Sequence, residues 1–333
     1  MSDRYPAPLE DVIVSSRIRL ARNFRDIPFP GMINQEYADE TVRRARAALA
    51  EDRYTLHMME GMDPQEKMRL LETGLISGDM GEHTAALISS GRTVSILINE
   101  EDHLRIQAML PGEQLERCAR LAYDCDDMLS RVGPIAFDRQ LGYLTSSPTN
   151  AGTGLRASLM MHLPALSISG QINEVTQAAG KLSLSLRSMS PDPVHAQNRL
   201  YILSNQITLG RMEEDILQTL VDASVEIVER EQALRKSMME KDTIAVTDRL
   251  MRSVGILSNA RLMSEKEWEG RASDLRFAVS VGLISASYAD IDAMRWQLRP
   301  ANLRASAGQE LPGRAGDALR AAILREKMKE WRI

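Results

Sequence analysis

Arginines make up most of the residues in this chain that could do chemistry. In Ser15-Ser16-Arg17-Ile18-Arg19 a single residue separates two of them, so an extended strand turns Arg17 and Arg19 to the same side. Two guanidinium forks side by side suit a polyphosphate. A second segment, Asn99-Glu100-Glu101-Asp102-His103-Leu104-Arg105, sets three consecutive carboxylates ahead of a His and an Arg. A third, from Pro148 to Ser158, is a Gly- and Thr-rich loop of the kind that lets backbone N–H groups approach phosphate oxygens, and it closes on Arg156. Each segment alone has an ordinary explanation, since strand arginines are commonly surface ion pairs and acidic runs are commonly solvated turns. Together they ask too much of that explanation and point to phosphate chemistry.

Something must hold these segments in place. The alternation in Thr93 to Asn99 puts Val94, Ile96 and Ile98 on one face and Ser95, Leu97 and Asn99 on the other, which predicts a half-buried strand leading into the acidic run. A helix is expected from Glu113 to Val132, where Leu115, Cys118, Leu121, Ala122, Cys125 and Met128 recur at helical spacing before the Gly133-Pro134 stop. Further strands are expected at Gly142 to Thr145, Leu182 to Leu186 and Leu200 to Leu203. From Glu213 the pattern becomes helical, with Ile216, Leu217, Leu220, Val221, Ile227, Val228 and Leu234 as an apolar stripe. These readings place a boundary near residue 235, between a mixed α/β body and an all-helical tail.

Composition sets the wider limits. The 333 residues, 44% hydrophobic and 26% charged, are ordinary for a soluble enzyme of one or two domains, and 19 methionines offset the scarcity of aromatic side chains. A net charge of -5 argues against a broad nucleic-acid or anionic-membrane surface. No apolar run approaches the roughly 20 residues that span a bilayer, and the first residues lack a signal-peptide pattern, so a cytoplasmic location is expected. Cys118 and Cys125 are two helical turns apart, about 10 Å, too far for a disulfide and too sparse for zinc.

The motifs also carry a resemblance. Residues 99–105, NEEDHLR, are similar to the signature of the phosphagen kinases, the group that contains creatine and arginine kinases. Residues 147–158, SPTNAGTGLRAS, resemble the nucleotide loop of that group. The likeness continues through VIVSSRIRLARNFRDIPFP, GYLTSSPTN, MMHLPAL and SNQITLG, and it is strongest toward the bacterial protein-arginine kinases. It implies an α+β fold with a large, mainly antiparallel sheet flanked by helices (residues 1–235) and a C-terminal all-helical domain (236–333). It also implies ATP as phosphoryl donor, with Mg²⁺ held mainly by nucleotide oxygens and water; it names no dedicated protein ligand, and Asp102 is left between a metal-side and a structural role. The nucleotide would lie on Ser15, Ser16, Arg17, Ile18 and Arg19, on Arg105, on Arg156, Ala157, Ser158, Leu159 and Met160, and on Arg187. Glu101 matches the carboxylate that holds the acceptor guanidinium. Asp317 and Arg320 match part of a phosphoarginine-binding motif, against the plainer reading of an i,i+3 ion pair. Protein substrates with exposed arginines, a homodimer, a stress-response role, a zinc-binding activator protein and an ATP-dependent protease are implied as well.

The chain departs from the family pattern in four places. Where relatives carry Arg-Gly-x-x-Gly-Glu, this chain has Arg187-Ser188-Met189-Ser190-Pro191-Asp192-Pro193-Val194-His195, with Asp192 at the place of the second catalytic glutamate and two prolines that restrict the loop. Gly74 replaces a nucleotide-contacting His, Ser147 a reactive Cys, and Gly316 the first Arg of the phosphoarginine motif. These changes leave a second reading open, a weakened kinase or pseudokinase that binds nucleotide or phosphoarginine. Transfer to a small guanidino metabolite is a third reading, less favoured because the substrate-closing N-terminal domain has no counterpart.

Overall fold

The computed structural model describes residues 9–49, 52–190 and 197–331. Asp192 and its flanking prolines therefore lie outside the described residues. The first unit is built on strands β1 (Ile13–Arg22), β2 (Tyr54–Met58), β3 (Ala85–Ser89), β4 (Val94–Ile98), β5 (Leu104–Pro111), the short ribbon β6 (Phe137–Asp138) and β7 (Gly142–Tyr143), then β8 (Leu155–His162), β9 (Leu184–Ser188) and β10 (Leu200–Asn205). Eight of them form one sheet in the order β2-β3-β4-β5-β1-β8-β10-β9. Every neighbouring pair is antiparallel. The long α/β connections of a parallel sheet are absent from this layout, and the expected antiparallel α+β body is what the chain forms.

Helices α1 (Gln35–Ala48), α2 (Pro64–Glu72), α3 (Leu115–Ser130), α4 (Pro164–Ile168), α5 (Ile172–Lys181) and α6 (Glu213–Lys241) flank this sheet. Of the predicted stripe on α3, Leu115, Cys118, Ala122 and Cys125 are buried and Leu121 and Met128 partly so, with Leu129 added to them, and Ile216, Leu220, Ile227 and Val228 of α6 join the same core. Opposite them stand Ile18, Leu20, Ile106, Ala157 and Leu159, alternate residues of the three central strands. The sheet therefore has one apolar face under α3 and α6, which leaves the other set of alternate residues free for a different task.

The half-buried strand expected at Thr93 to Asn99 is buried on both faces. Ile96 faces the main core, while Leu97 joins Leu70, Leu75, Met80, Ala86 and Ile88 in a smaller one beneath α2. Ser95 Oγ accepts from Gln107 Nε2 at 3.2 Å, and just past the strand Asn99 Nδ2 donates to the carbonyls of Ala38 and His83 at 3.1 Å, while its Oδ1 is buried without a partner. Both cysteines are buried and free.

The helical unit comprises α7 (Thr243–Asn259), α8 (Glu265–Ser280), α9 (Tyr288–Gln297), α10 (Pro300–Ala307) and α11 (Ala315–Glu330), packed around Trp268, Leu275, Phe277, Leu257 and Leu324. The boundary read at 235 falls inside α6, which runs unbroken to Lys241 and carries Met238 against the second core. Two polar seams join the units. Glu72 at the end of α2 accepts from the N–H groups of Ala301 and Asn302, capping α10. On the other side Arg276 donates to the Glu10 carbonyl at 2.6 Å, and buried Arg235 pairs with Asp11 at 3.1 Å and Glu231 at 2.7 Å.

Candidate functional site

Five arginines share the sheet face that the main core does not use. On β1, Arg17 lies opposite Ser158 and Met109, and Arg19 lies opposite Arg156 and Gln107. Arg105 on β5 lies opposite Ala21, one alternate position further along. Arg187 on β9 pairs with Ile202, which in turn pairs with Met160, so it enters the same face two strands from β8, roughly 10 Å away. The smaller core under α2 covers this face at the β3–β4 end. Residues of α8 and α9 approach it at the other end, where Met160 and Met189 line a cleft with Trp296. The arginines occupy the gap between these two coverings.

Their charges are poorly compensated. Arg17 Nη2 donates to Gln107 Oε1, whose amide donates to the Gly74 carbonyl at 2.7 Å. Arg105 pairs with Glu100 at 2.7 Å, and Arg187 Nε donates to Ser185 Oγ at 2.8 Å. Arg19 and Arg156 make no side-chain hydrogen bond or ion pair among the described residues. The Nε atoms of Arg17, Arg19 and Arg105 are buried without a partner. Burial and the neighbouring arginines push the Arg19 guanidinium down to about 9, and burial with Arg105 pushes Arg17 down to about 10. Burial and Arg187 lower Arg156 as well. At neutral pH all remain charged, so the strain is released by an anion rather than by proton loss.

The acidic run divides its labour. Glu100 is nearly buried and tied to Arg105. Asp102 is 2% exposed and accepts from Asn23 Nδ2 and the Ser146 N–H, both at 2.7 Å. His103 is buried; its Nδ1 accepts from the Phe24 N–H and its Nε2 donates to the Pro28 carbonyl at 2.8 Å, which fixes the neutral tautomer. Glu101 alone of the run is exposed, and among the described residues its side chain meets only Asn150 Nδ2, at 3.5 Å. Its carboxylate remains available to a cationic acceptor beside the arginine face.

The glycines of the 148–158 loop permit close backbone approach. A Cβ at Gly152, where φ is +104°, would come within 2.4 Å of the Thr208 carbonyl oxygen, and one at Gly154 within 2.7 Å of the Ala21 carbonyl. Both glycines thus let backbone meet backbone. Thr208 Oγ1 then braces the loop through the carbonyls of Thr149 and Ala151.

Of the other residues expected at a nucleotide, Ser15, Ser158 and Met160 share the arginine face by register, whereas Ser16, Ile18, Ala157 and Leu159 turn their side chains into the core. Ser16 Oγ is engaged by the Gly112 carbonyl and the Gln114 N–H. Ser147 Oγ meets Thr149 Oγ1 at 2.8 Å. Sequence reasoning overlooked Gln107, although its place two residues beyond Arg105 on an alternating strand was a usable signal. It also left open which carboxylate would pair with Arg105.

Comparison with known proteins agrees with this geometry. The family model described as ATP:guanido phosphotransferase, C-terminal catalytic domain, matches residues 37–234, and that of the protein-arginine kinase McsB C-terminal domain matches 243–332. The protein-arginine kinase of Caldanaerobacter subterraneus subsp. tengcongensis is 37% identical over 96% of this chain and 98% of that protein. The chain belongs to the ATP:guanido phosphotransferase family, in its protein-arginine kinase branch. Another protein-arginine kinase, from Syntrophomonas wolfei, is 40% identical over 97% of this chain and 93% of its own length. Among solved structures, a lombricine kinase superposes with a TM-score of 0.60 at 25% identity over 68% of each chain. A duplicated taurocyamine kinase from Schistosoma mansoni superposes at 0.62, with 21% identity over 80% of this chain and 40% of that one, a likeness of fold.

Within the stretch matched to the protein-arginine kinase C-terminal domain, Asp317 and Arg320 form an i,i+3 pair at 2.8 Å on α11. Arg320 is buried, and it also donates to the carbonyls of Leu298 at 2.9 Å and Met263 at 2.7 Å. The pair thereby ties α11 to the segments before α8 and after α9, while the Asp317 carboxylate stays 39% exposed.

Proposed function

We propose that this chain transfers the γ-phosphoryl group of ATP to the guanidinium of arginine side chains in proteins. The observation that carries the reading is the crowded, under-compensated arginine face with the exposed Glu101 beside it. Phosphoryl transfer passes through a loose transition state whose negative charge is spread over peripheral oxygens, so positioning and charge stabilisation supply most of the catalysis. Arg17, Arg19, Arg105, Arg156 and Arg187 would hold the phosphates, and the unpartnered Nε atoms are donors fit for phosphate oxygens.

Glu101 would align the acceptor guanidinium so that one nitrogen faces the γ-phosphorus in line with the departing ADP oxygen. A P–N bond forms as the P–O bond to ADP breaks, and the attacking nitrogen gives up one proton, to Glu101 or to water. Because a free guanidinium is a poor nucleophile, that carboxylate helps by taking up charge as the proton leaves. Among the described residues no group of three His, Cys, Asp or Glu side chains converges as a metal site, and the donor set of this face is cationic. Mg²⁺ would sit on the nucleotide oxygens, where it would offset phosphate charge.

Asp192, by its place after Arg187, would supply a second carboxylate to the acceptor. Asp317 and Arg320 are proposed as a phosphoarginine contact, through the exposed carboxylate and the guanidinium edge not bonded to carbonyls. Homodimerisation, a zinc-binding activator and an ATP-dependent protease belong to the same reading, as does a cytoplasmic location. No helix among the described residues is long and apolar enough to cross a membrane.

The test is incubation of the purified chain with Mg-ATP labelled at the γ-phosphate and casein as an unstructured acceptor. Label that is lost from casein in acid and kept in mild base supports the reading, since the P–N bond is acid-labile. Acid-stable label, or none, would refute it.

A further inference from the structure

A second cationic cavity, about 490 Å³ in volume, lies at the seam between the sheet and the helical unit, and none of the five arginines above lines it. Its charged lining is Arg199, just before β10, Arg249 of α7, and Lys266, Glu267, Arg271 and Asp274 of α8, four cations against two carboxylates. The carboxylates are already engaged. Asp274 accepts from Arg249 at 2.8 Å and from Ser253 Oγ at 2.7 Å, and Glu267 meets Arg271 at 3.4 Å. Arg271 also donates to Ser253 Oγ at 3.1 Å, so Ser253 and Asp274 act as a frame that sets two guanidinium groups at fixed angles.

Arg199 has no paired carboxylate, only the more distant fields of Asp274 and Glu231. Its side chain makes no hydrogen bond or ion pair among the described residues, and burial together with Arg249 holds its guanidinium below the usual value. Its backbone is left-handed, with φ at +48°, a conformation that long side chains seldom adopt. The Leu163 N–H, bonded to its carbonyl at 3.0 Å, secures that strained position. Gly270 contributes from the facing helix: a Cβ there would meet Gln197 Oε1 at 2.8 Å, so its absence lets the root of the β10 strand lie against α8. An arginine without a hydrogen-bonded partner, held in a strained backbone beside a roomy cavity, is a donor set left open to an anion.

We propose that this cavity is a binding site for a phosphate-monoester dianion, with Arg199, Arg249 and Arg271 as its guanidinium donors and Lys266 at its mouth. Guanidinium forks match the paired oxygens of a tetrahedral phosphate, and a single carboxylate would leave most of these donors unanswered. The volume lies in the range of small-ligand sites, with space for the organic part of the ester. The site is independent of the nucleotide reading and shares no side chain with it.

Calorimetric titration of the full chain in phosphate-free buffer tests this, with inorganic phosphate and O-phosphoserine as probes. Arg156→Ala, on the other face, should keep the binding; Arg271→Gln should weaken it at least tenfold. Lys266→Ala, an exposed change that leaves the fold intact, should weaken it several-fold. Tighter binding of O-phosphoserine would assign the site to phosphorylated side chains, and equal binding would assign it to free phosphate. Wild type that binds neither probe, or binding that vanishes in Arg156→Ala and survives in Arg271→Gln, would overturn the proposal.

Discussion

Arg19 and Arg156 stand directly opposite each other on the neighbouring strands β1 and β8, two like charges with no side-chain partner among the described residues. Cross-strand pairs of like charge cost stability, on the order of 0.5 kcal/mol, and burial adds to that cost. An ATP polyphosphate placed over them reverses the sign, so the pair stores part of the binding energy in the free protein.

Arg156→Ala should therefore leave the unliganded protein as stable as wild type or slightly more so. Its turnover should fall by roughly 10²–10³-fold, as when one electrostatic donor is lost at a transition state. Scanning fluorimetry with and without Mg-ATP reads both effects: wild type should gain stability on nucleotide addition and the variant should gain little. An undiminished gain in the variant would remove Arg156 from the phosphate site.

Gly152→Ala should damage the loop that carries Asn150 toward Glu101. The new methyl would sit 2.4 Å from the Thr208 carbonyl oxygen at a φ of +104°. Strain and overpacking together should cost about 2 kcal/mol or more. Chemical denaturation would measure it, and a neutral substitution would mean the loop is held otherwise.

Burial keeps His162 neutral, well below its ordinary value, in a place surrounded by Arg276, Arg235, Arg295 and Arg199, with Ser273 Oγ as its side-chain partner. The unfolded chain takes up the proton near pH 6.5 and the folded chain does not, so stability is present above about 6.5 and is lost as pH falls below it. This one group should contribute at most about 1.4 kcal/mol per pH unit. His162→Asn should flatten the acid limb of the stability profile between pH 6.5 and 5 without abolishing it, because burial lowers His103 as well. A limb as steep as that of wild type would show that His162 is not responsible.

Glu231 is fully buried and accepts from the N–H groups of Ala165 and Leu166 at 2.9 Å and from Arg235 at 2.7 Å. Removing its charge leaves Arg235 under-compensated inside the seam between the units. Glu231→Gln should cost about 3 kcal/mol or more in urea unfolding. A loss below about 1 kcal/mol would mean that water reaches the network.

Several of these features could be read before the structure, and the reasons differ by residue. The side-by-side placement of Arg17 and Arg19 follows from strand periodicity within one segment, and the apolar stripes of α3 and α6 follow from helical periodicity. The facing of Arg19 by Arg156 depends on register between strands far apart in sequence, which no local pattern specifies. Burial of Ser95 in β4 and of Asn99 just past it was hidden because their partners, Gln107 and the carbonyls of Ala38 and His83, come from elsewhere in the chain. The glycines at 152 and 154 were legible as special positions, but whether they admit phosphate or another backbone is a tertiary fact.

Comparison of wild type with Glu101→Gln, scoring phosphoarginine on an acceptor protein and ATP affinity in parallel, tests the central claim most directly. The substitution keeps the size of the side chain and leaves the arginine face untouched. Loss of phosphoarginine formation by at least about 10²-fold with ATP affinity within a few-fold of wild type is the predicted result. Phosphoarginine formed at the wild-type rate by Glu101→Gln would contradict the account.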